Sequence, residues 1–295
     1  MDSPKGETGF LDKVSLYALF NFLPFPENSD HYPTISLSAP PTEDESQSTN
    51  SYLKDGDQLI ESGIISHDLI VKSNVFEDPT IRMGFVRKVF GILLVQLLFT
   101  LAVVAIFVYH QPTKEFIQEN FLLVLVAFIV NIIVVITMFY VQDVRRKHPV
   151  NLICLTLYTF TMSVLLGTLS SLMDSNVVIS AVAITTVLVI ALSIYAVQTK
   201  YDYTAERGVI LTFVIILLVL SVCEFFMPDF VDSLPIVCLC TFIGCFLLIC
   251  DMQSIVGGNR LDQMDPEEYV FAALTLYVDV IRIFIYILRI LEKFY

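Results

Sequence analysis

The chain has 295 residues, of which 56% are hydrophobic and only 16% charged, and its mean hydropathy is +0.73. A soluble domain carries about a quarter of its residues charged, so this composition excludes one. The net charge of −13 is uneven, with fourteen acids against four bases in residues 1–80 and sixteen against thirteen in the remaining 215, which excludes a nucleic-acid surface and a polybasic membrane anchor.

The acidity therefore belongs to the N-terminal segment, residues 1–80. Stretches such as SAPPTEDESQSTN are too poor in apolar groups to offset their ordering entropy, and the expectation is a disordered acidic tail. One part departs from this, FLDKVSLYALFNFLPFP at 10–26. It lacks the basic start and small-residue cleavage site of a signal peptide, and it reads either as a sticky patch or as a short interfacial motif.

From residue 81 the pattern changes. Seven apolar runs reach the length needed to cross a hydrocarbon core about 30 Å thick, which takes about 20 helical residues. They cover 88–109, 121–141, 151–173, 176–197, 208–227, 234–256 and 268–291. The expected fold class is an all-α membrane protein, a seven-transmembrane-helix bundle over 81–295 behind the tail. The six cysteines all fall inside apolar runs without paired zinc spacing, so they read as small buried hydrophobes. Tryptophan is absent, leaving Tyr109, Tyr140, Tyr195, Tyr201 and Tyr269 to mark the interfaces.

The loops differ in base content. Arg82, Arg87, Lys88, Arg145, Arg146, Lys147, Lys200, Arg207 and Arg260 lie on one set of alternate loops, and Lys114 and Lys293 on the other. The excess of cytosolic Lys and Arg in membrane proteins places the tail in the cytosol, and seven crossings put the C-terminal end on the opposite side. The last run holds charges, which leaves a re-entrant or centrally buried segment open as a second reading. The non-cytosolic side collects Glu224, Asp229, Asp232 and Asp174, either as ordinary loop solvation or as an outer mouth that concentrates cations.

The last apolar run carries the chemistry. In DPEEYVFAALTLYVDVIR, Asp265, Pro266 and Glu268 have the spacing of a capping box at a helix start, and Gly257 and Gly258 end the preceding helix. Asp279 then falls roughly 20 Å along its helix, near mid-membrane, and Asp251 roughly 9 Å before Gly257. An acid at that depth costs about 2.5 kcal/mol or more and marks function by default. The spacing permits Asp251 and Asp279 to meet. Two touching carboxylates cannot both ionise cheaply, so such a pair shares a proton and offers oxygens to a hard cation such as Ca²⁺. The alternative is a contact of Asp279 with Arg282 on the same helical face.

Several segments are familiar in order. CDMQSIVGG with DPEEYVFAALTLYVDVIRIFIYILRIL, FVRKVFGILLVQLLFT, RRKHPVNLICLTLYTFTMSVLLGTLSS and AVQTKYDYTAERG together resemble the Bax inhibitor/lifeguard family, the transmembrane Bax-inhibitor-motif proteins, across residues 82–292. The tail has no such match. The resemblance implies a bundle with its last helix at the centre, acting as a pH-sensitive Ca²⁺ leak of intracellular membranes that suppresses apoptosis. It implies Asp251 and Asp279 as the di-aspartyl sensor and Ca²⁺ contact, with Arg145 or Arg146 as latch. Two departures stand out, Cys250 in place of an aromatic and Arg282 in place of an asparagine; Arg282 is therefore a modulator of the pair.

The leading expectation is thus a Ca²⁺ leak with Ca²⁺ as transported ion, membrane lipid as surroundings and no cofactor. The rival is a non-conducting scaffold that regulates apoptosis by binding Bcl-type proteins, the inositol-trisphosphate receptor or death receptors. An enzyme is not expected, since the four histidines lie in the tail or at helix ends. Endoplasmic reticulum and Golgi lead as locations, with lysosome and plasma membrane open.

Overall fold

The computed structural model describes residues 79–257, 264 and 266–295. The acidic tail, its 10–26 patch, Arg260 and the capping residue Asp265 lie outside the described residues. Among the described residues every regular element is helical. In chain order these are α1 (Pro79–Tyr109), α2 (Gln111–Glu119), α3 (Phe121–Tyr140), α4 (Gln142–Arg146) and α5 (Val150–Ser171). There follow α6 (Ser175–Gln198), α7 (Arg207–Phe226), α8 (Pro228–Val231), α9 (Leu234–Val256) and α10 (Tyr269–Glu292). Single 3₁₀ turns at Tyr203–Ala205 and Pro266–Glu268 precede α7 and α10.

Six helices are long and apolar enough to cross a membrane: α1, α3, α5, α6, α9 and α10. The run expected at 208–227 forms α7, but its apolar part, Gly208–Glu224, is shorter than the other six. It sits at the lower limit of about 17 residues for a crossing helix.

The helices are arranged around α10. Its residues Val270–Arg289 are buried without interruption, and it packs on α9, α1, α6 and α5. Hydrophobicity alone does not drive a helix inward in lipid, because lipid tails are as apolar as leucine. The polar groups of α10 do. The Tyr277 hydroxyl meets Thr100 Oγ1 at 2.8 Å, and Thr100 Oγ1 meets Ser163 Oγ at 2.9 Å, joining α10, α1 and α5. Gln96 Nε2 donates to Thr159 Oγ1 at 2.8 Å, and Asn131 Nδ2 donates to Thr161 Oγ1 at 2.9 Å, extending this seam to α3. In hydrocarbon each such group left alone is costly, so the seam fixes which faces turn inward.

Close approach is the other requirement. At Gly167 of α5 an added Cβ would lie 2.9 Å from Phe107 Cγ of α1, so the aromatic ring rests on the bare backbone. The outward faces carry the opposite character: Leu98, Ile133, Ile190 and Leu218 are all exposed, as lipid-facing side chains are.

Candidate functional site

The site begins with the fixed end of α9. Gly257 terminates that helix with φ of 67°, a left-handed conformation that glycine adopts freely. The carbonyls left open there are taken by Arg82 of α1. Its guanidinium donates to Ser254 O at 2.7 Å, Met264 O at 2.8 Å and Val256 O at 3.1 Å. One turn earlier Gln253 braces the loop before α7: it accepts from Tyr203 N–H at 2.9 Å and donates to Tyr201 O at 2.9 Å. Tyr203 in turn meets the Tyr195 hydroxyl at 2.6 Å, which holds its phenol above the ordinary tyrosine range. Asp251 therefore projects from a helix end tied to α1 and to a loop.

Asp279 comes ten residues after Tyr269, roughly 15 Å along α10. It is 1% exposed and Arg282 is 6% exposed. Arg282 Nη1 donates to Asp279 Oδ1 at 3.2 Å, an i,i+3 ion pair. Asp251 of α9 lies beside the same carboxyl group. Tyr158, Tyr286 and Cys240 lie within the field of the Arg282 guanidinium, and Tyr158 stacks edge-on against Tyr277 with centroids 6.1 Å apart. The structure thus places the half-buried Asp251 beside the buried Asp279 and Arg282.

Arg145 and Arg146 are placed elsewhere. Arg146 Nε meets Glu268 Oε1 at 2.8 Å and Arg145 Nη2 meets the same oxygen at 3.6 Å. Arg145 also lies over the Phe271 ring, 4.6 Å from its centre. Both therefore act at the start of α10, roughly 16 Å along the helix from Asp279. Glu268 itself differs from the expected capping role: as N-cap of α10 it makes no side-chain capping bond. Two guanidiniums beside a nearly buried carboxylate give it stronger partners than a backbone N–H.

The opposite end of α10 is also ionic. Arg289 and Glu224 of α7, each 2% exposed, form a buried ion pair, and Lys293 Nζ meets Asp232 Oδ2 at 2.5 Å. Two of the four acids expected at an outer mouth are therefore matched by bases, Arg289 of α10 and Lys293 just beyond it, while Asp174 and Asp229 are exposed. Among the described residues no group of three or more His, Cys, Asp or Glu side chains is placed to hold a metal ion. Asp251 and Asp279 stand as neighbouring carboxyl groups beside the Arg282 cation.

Sequence reasoning counted Arg82 only among the cytosolic bases and passed over Arg289. Each carried a signal: a glycine-ended helix leaves carbonyls in need of a donor, and an intramembrane arginine needs an acid.

An ionisable cluster at the centre of a helix buried all round, inside a bundle of apolar helices, defines a polytopic membrane protein with a charged core. The family model described as "Inhibitor of apoptosis-promoting Bax1" matches residues 82–295, and the chain belongs to this Bax inhibitor family. It is similar to human Protein lifeguard 3, 35% identical over 219 residues, 73% of this chain and 70% of that protein. Mouse Protein lifeguard 3 is 32% identical over 218 residues, 73% of this chain and 71% of that protein. The Golgi anti-apoptotic protein of vaccinia virus (strain Lister) is 32% identical over 214 residues, covering 72% of this chain and 86% of that protein.

Proposed function

We propose that this chain suppresses apoptosis as a pH-sensitive Ca²⁺ leak of an intracellular membrane. Membership of the family described as inhibitors of apoptosis-promoting Bax1, and similarity to a viral Golgi anti-apoptotic protein, support the first half and favour the Golgi. In this reading α7 completes seven crossings and residues 1–80 lie in the cytosol, with the endoplasmic reticulum as second location.

The observation that carries the leak is the Asp251–Asp279 contact beside Arg282 on the buried helix. Ca²⁺ is the cargo, and the protein's own groups do the switching. With the pair holding one proton, Arg282 supplies the remaining countercharge. A change in protonation alters how strongly Arg282 is held, and so biases α10 between two positions. Arg145 and Arg146, bound to Glu268, latch the start of the same helix. No catalytic step and no resident cofactor enter this account. Purified protein in liposomes should pass Ca²⁺ with a pH-dependent rate, and Asp279→Asn should remove the pH dependence and change the rate at least several-fold. Unchanged flux and pH response in Asp279→Asn would sink the reading.

A second reading has one observation in its favour. The Arg282 guanidinium, 3.2 Å from Asp279 Oδ1, stands where a passing cation would seek the carboxylate. If it never leaves, the chain conducts nothing and works as a scaffold for Bcl-type proteins, the inositol-trisphosphate receptor or death receptors. Liposomes impermeable to Ca²⁺ at every pH, for wild type and Arg282→Asn alike, would favour this scaffold.

A further inference from the structure

A groove of about 1070 Å³ runs along the outside of the bundle between α1 and α5. Its lip is basic: Arg87 and Lys88 line one end, both exposed and neither in an ion pair among the described residues. Lys88 Nζ rests 5.3 Å from the centre of the Tyr269 ring, which fixes it at the level where α10 begins. Beyond the lip the walls are apolar, with Val95 and Phe99 from α1 and Ile153 and Phe160 from α5. The polar pair on the floor, Gln96 and Thr159, is joined by its own hydrogen bond. Gly91 faces open space at the entrance, since a Cβ added there meets nothing within 4 Å.

We propose that this groove is a binding site for an anionic phospholipid, with its phosphate on Arg87 and Lys88 and an acyl chain lying along the α1–α5 wall. The charge at the lip selects the headgroup, because an acidic headgroup gains two cations that no carboxylate among the described residues pairs. The depth selects a lipid over a free anion, since Lys88 to Phe99 spans roughly 16 Å of helix and only hydrocarbon wets such a wall. The acidic residues 1–80 are the competing occupant. A peptide lying extended against apolar walls would leave backbone groups without partners, whereas an acyl chain has none to satisfy.

The test uses the full-length protein in detergent with added phosphatidylserine or phosphatidylcholine, and native mass spectrometry to count retained lipid. Wild type should retain phosphatidylserine several-fold over phosphatidylcholine, and inorganic phosphate should not displace it. The double variant Arg87→Gln, Lys88→Gln should lose the preference. Gly91→Leu, which fills an open space on a helix, should reduce retention of both lipids while the charges stay in place. Equal retention of the two lipids by wild type means an ordinary lipid coat and overturns the site. So does a preference that survives the charge variant, displacement by phosphate, or crosslinking of the groove to residues 1–80 that phosphatidylserine does not reduce.

Discussion

Arg282 and Asp279 have both given up water, and their attraction across 3.2 Å only offsets that loss. Buried pairs seldom stabilise beyond a well-packed apolar substitute, but breaking one leaves a charge stranded at a cost of about 3–5 kcal/mol. In the proposed switch Asp251 changes this balance, because the group stranded in an Arg282 variant is one of two neighbouring carboxyls that can share a proton. Arg282→Asn is therefore a mild lesion with a functional signature. With one cation fewer to hold the cluster ionised, the midpoint of Ca²⁺ flux against pH should move to higher pH. Liposome flux measured between about pH 5 and 8, the range in which a shared carboxyl proton is exchanged, checks it. A midpoint that stays or falls would remove Arg282 from the switch. The pairing of these side chains was partly visible in advance: the i,i+3 spacing fixes Arg282 on the face of Asp279, and helix ends at Gly257 and Asp265 fix the depths of Asp251 and Asp279. Arg82 was not visible, because its partners Ser254 and Met264 lie 172 and 182 residues away and no local pattern connects them.

At the scale of the element, α10 is held by ionic contacts at both ends, Glu268 with Arg145 and Arg146 at one and Glu224 with Arg289 at the other. These ends differ in exposure. Arg146 is half in solvent while Arg289 and Glu224 are 2% exposed, so the second contact should dominate stability. Glu224→Gln removes the buried arginine's acid and should destabilise the protein by about 3–5 kcal/mol. The double variant Glu224→Leu, Arg289→Leu, which removes both charges, should cost clearly less. Thermal melting in detergent separates the two cases, and equal losses would show that packing, not charge, fixes this end. Hydropathy located the long helices because lipid demands continuous apolar runs, so six expected spans begin and end within two residues of α3, α5, α6, α7, α9 and α10. It missed the first nine residues of α1, Pro79–Arg87, where polar residues continue the helix beyond the apolar run: backbone hydrogen bonding does not stop at the interface. The short helices α2, α4 and α8 escaped for the same reason, being too brief for a composition signal.

For the whole molecule, the division between acidic tail and helical domain carries a consequence for function. Every group placed at the site lies between Arg82 and Lys293, and the family match begins at residue 82. Removing residues 1–75 should leave Ca²⁺ flux in liposomes within about twofold of the full chain, a change of under 0.5 kcal/mol by the relation of rate to barrier. Loss of flux would place part of the machinery in the tail.

The enclosure of α10 also constrains how the protein is made. Its sequence leaves the ribosome after the helices that surround it, so those helices must wait in the bilayer with an unfilled centre. Thr100 and Ser163 then face that centre without Tyr277, and Glu224 waits without Arg289. When α10 arrives it brings three buried charges, Asp279, Arg282 and Arg289, each costly to place in plain lipid and each accepted by a prepared polar socket. Membrane insertion of the final segment is thus expected to depend on tertiary assembly.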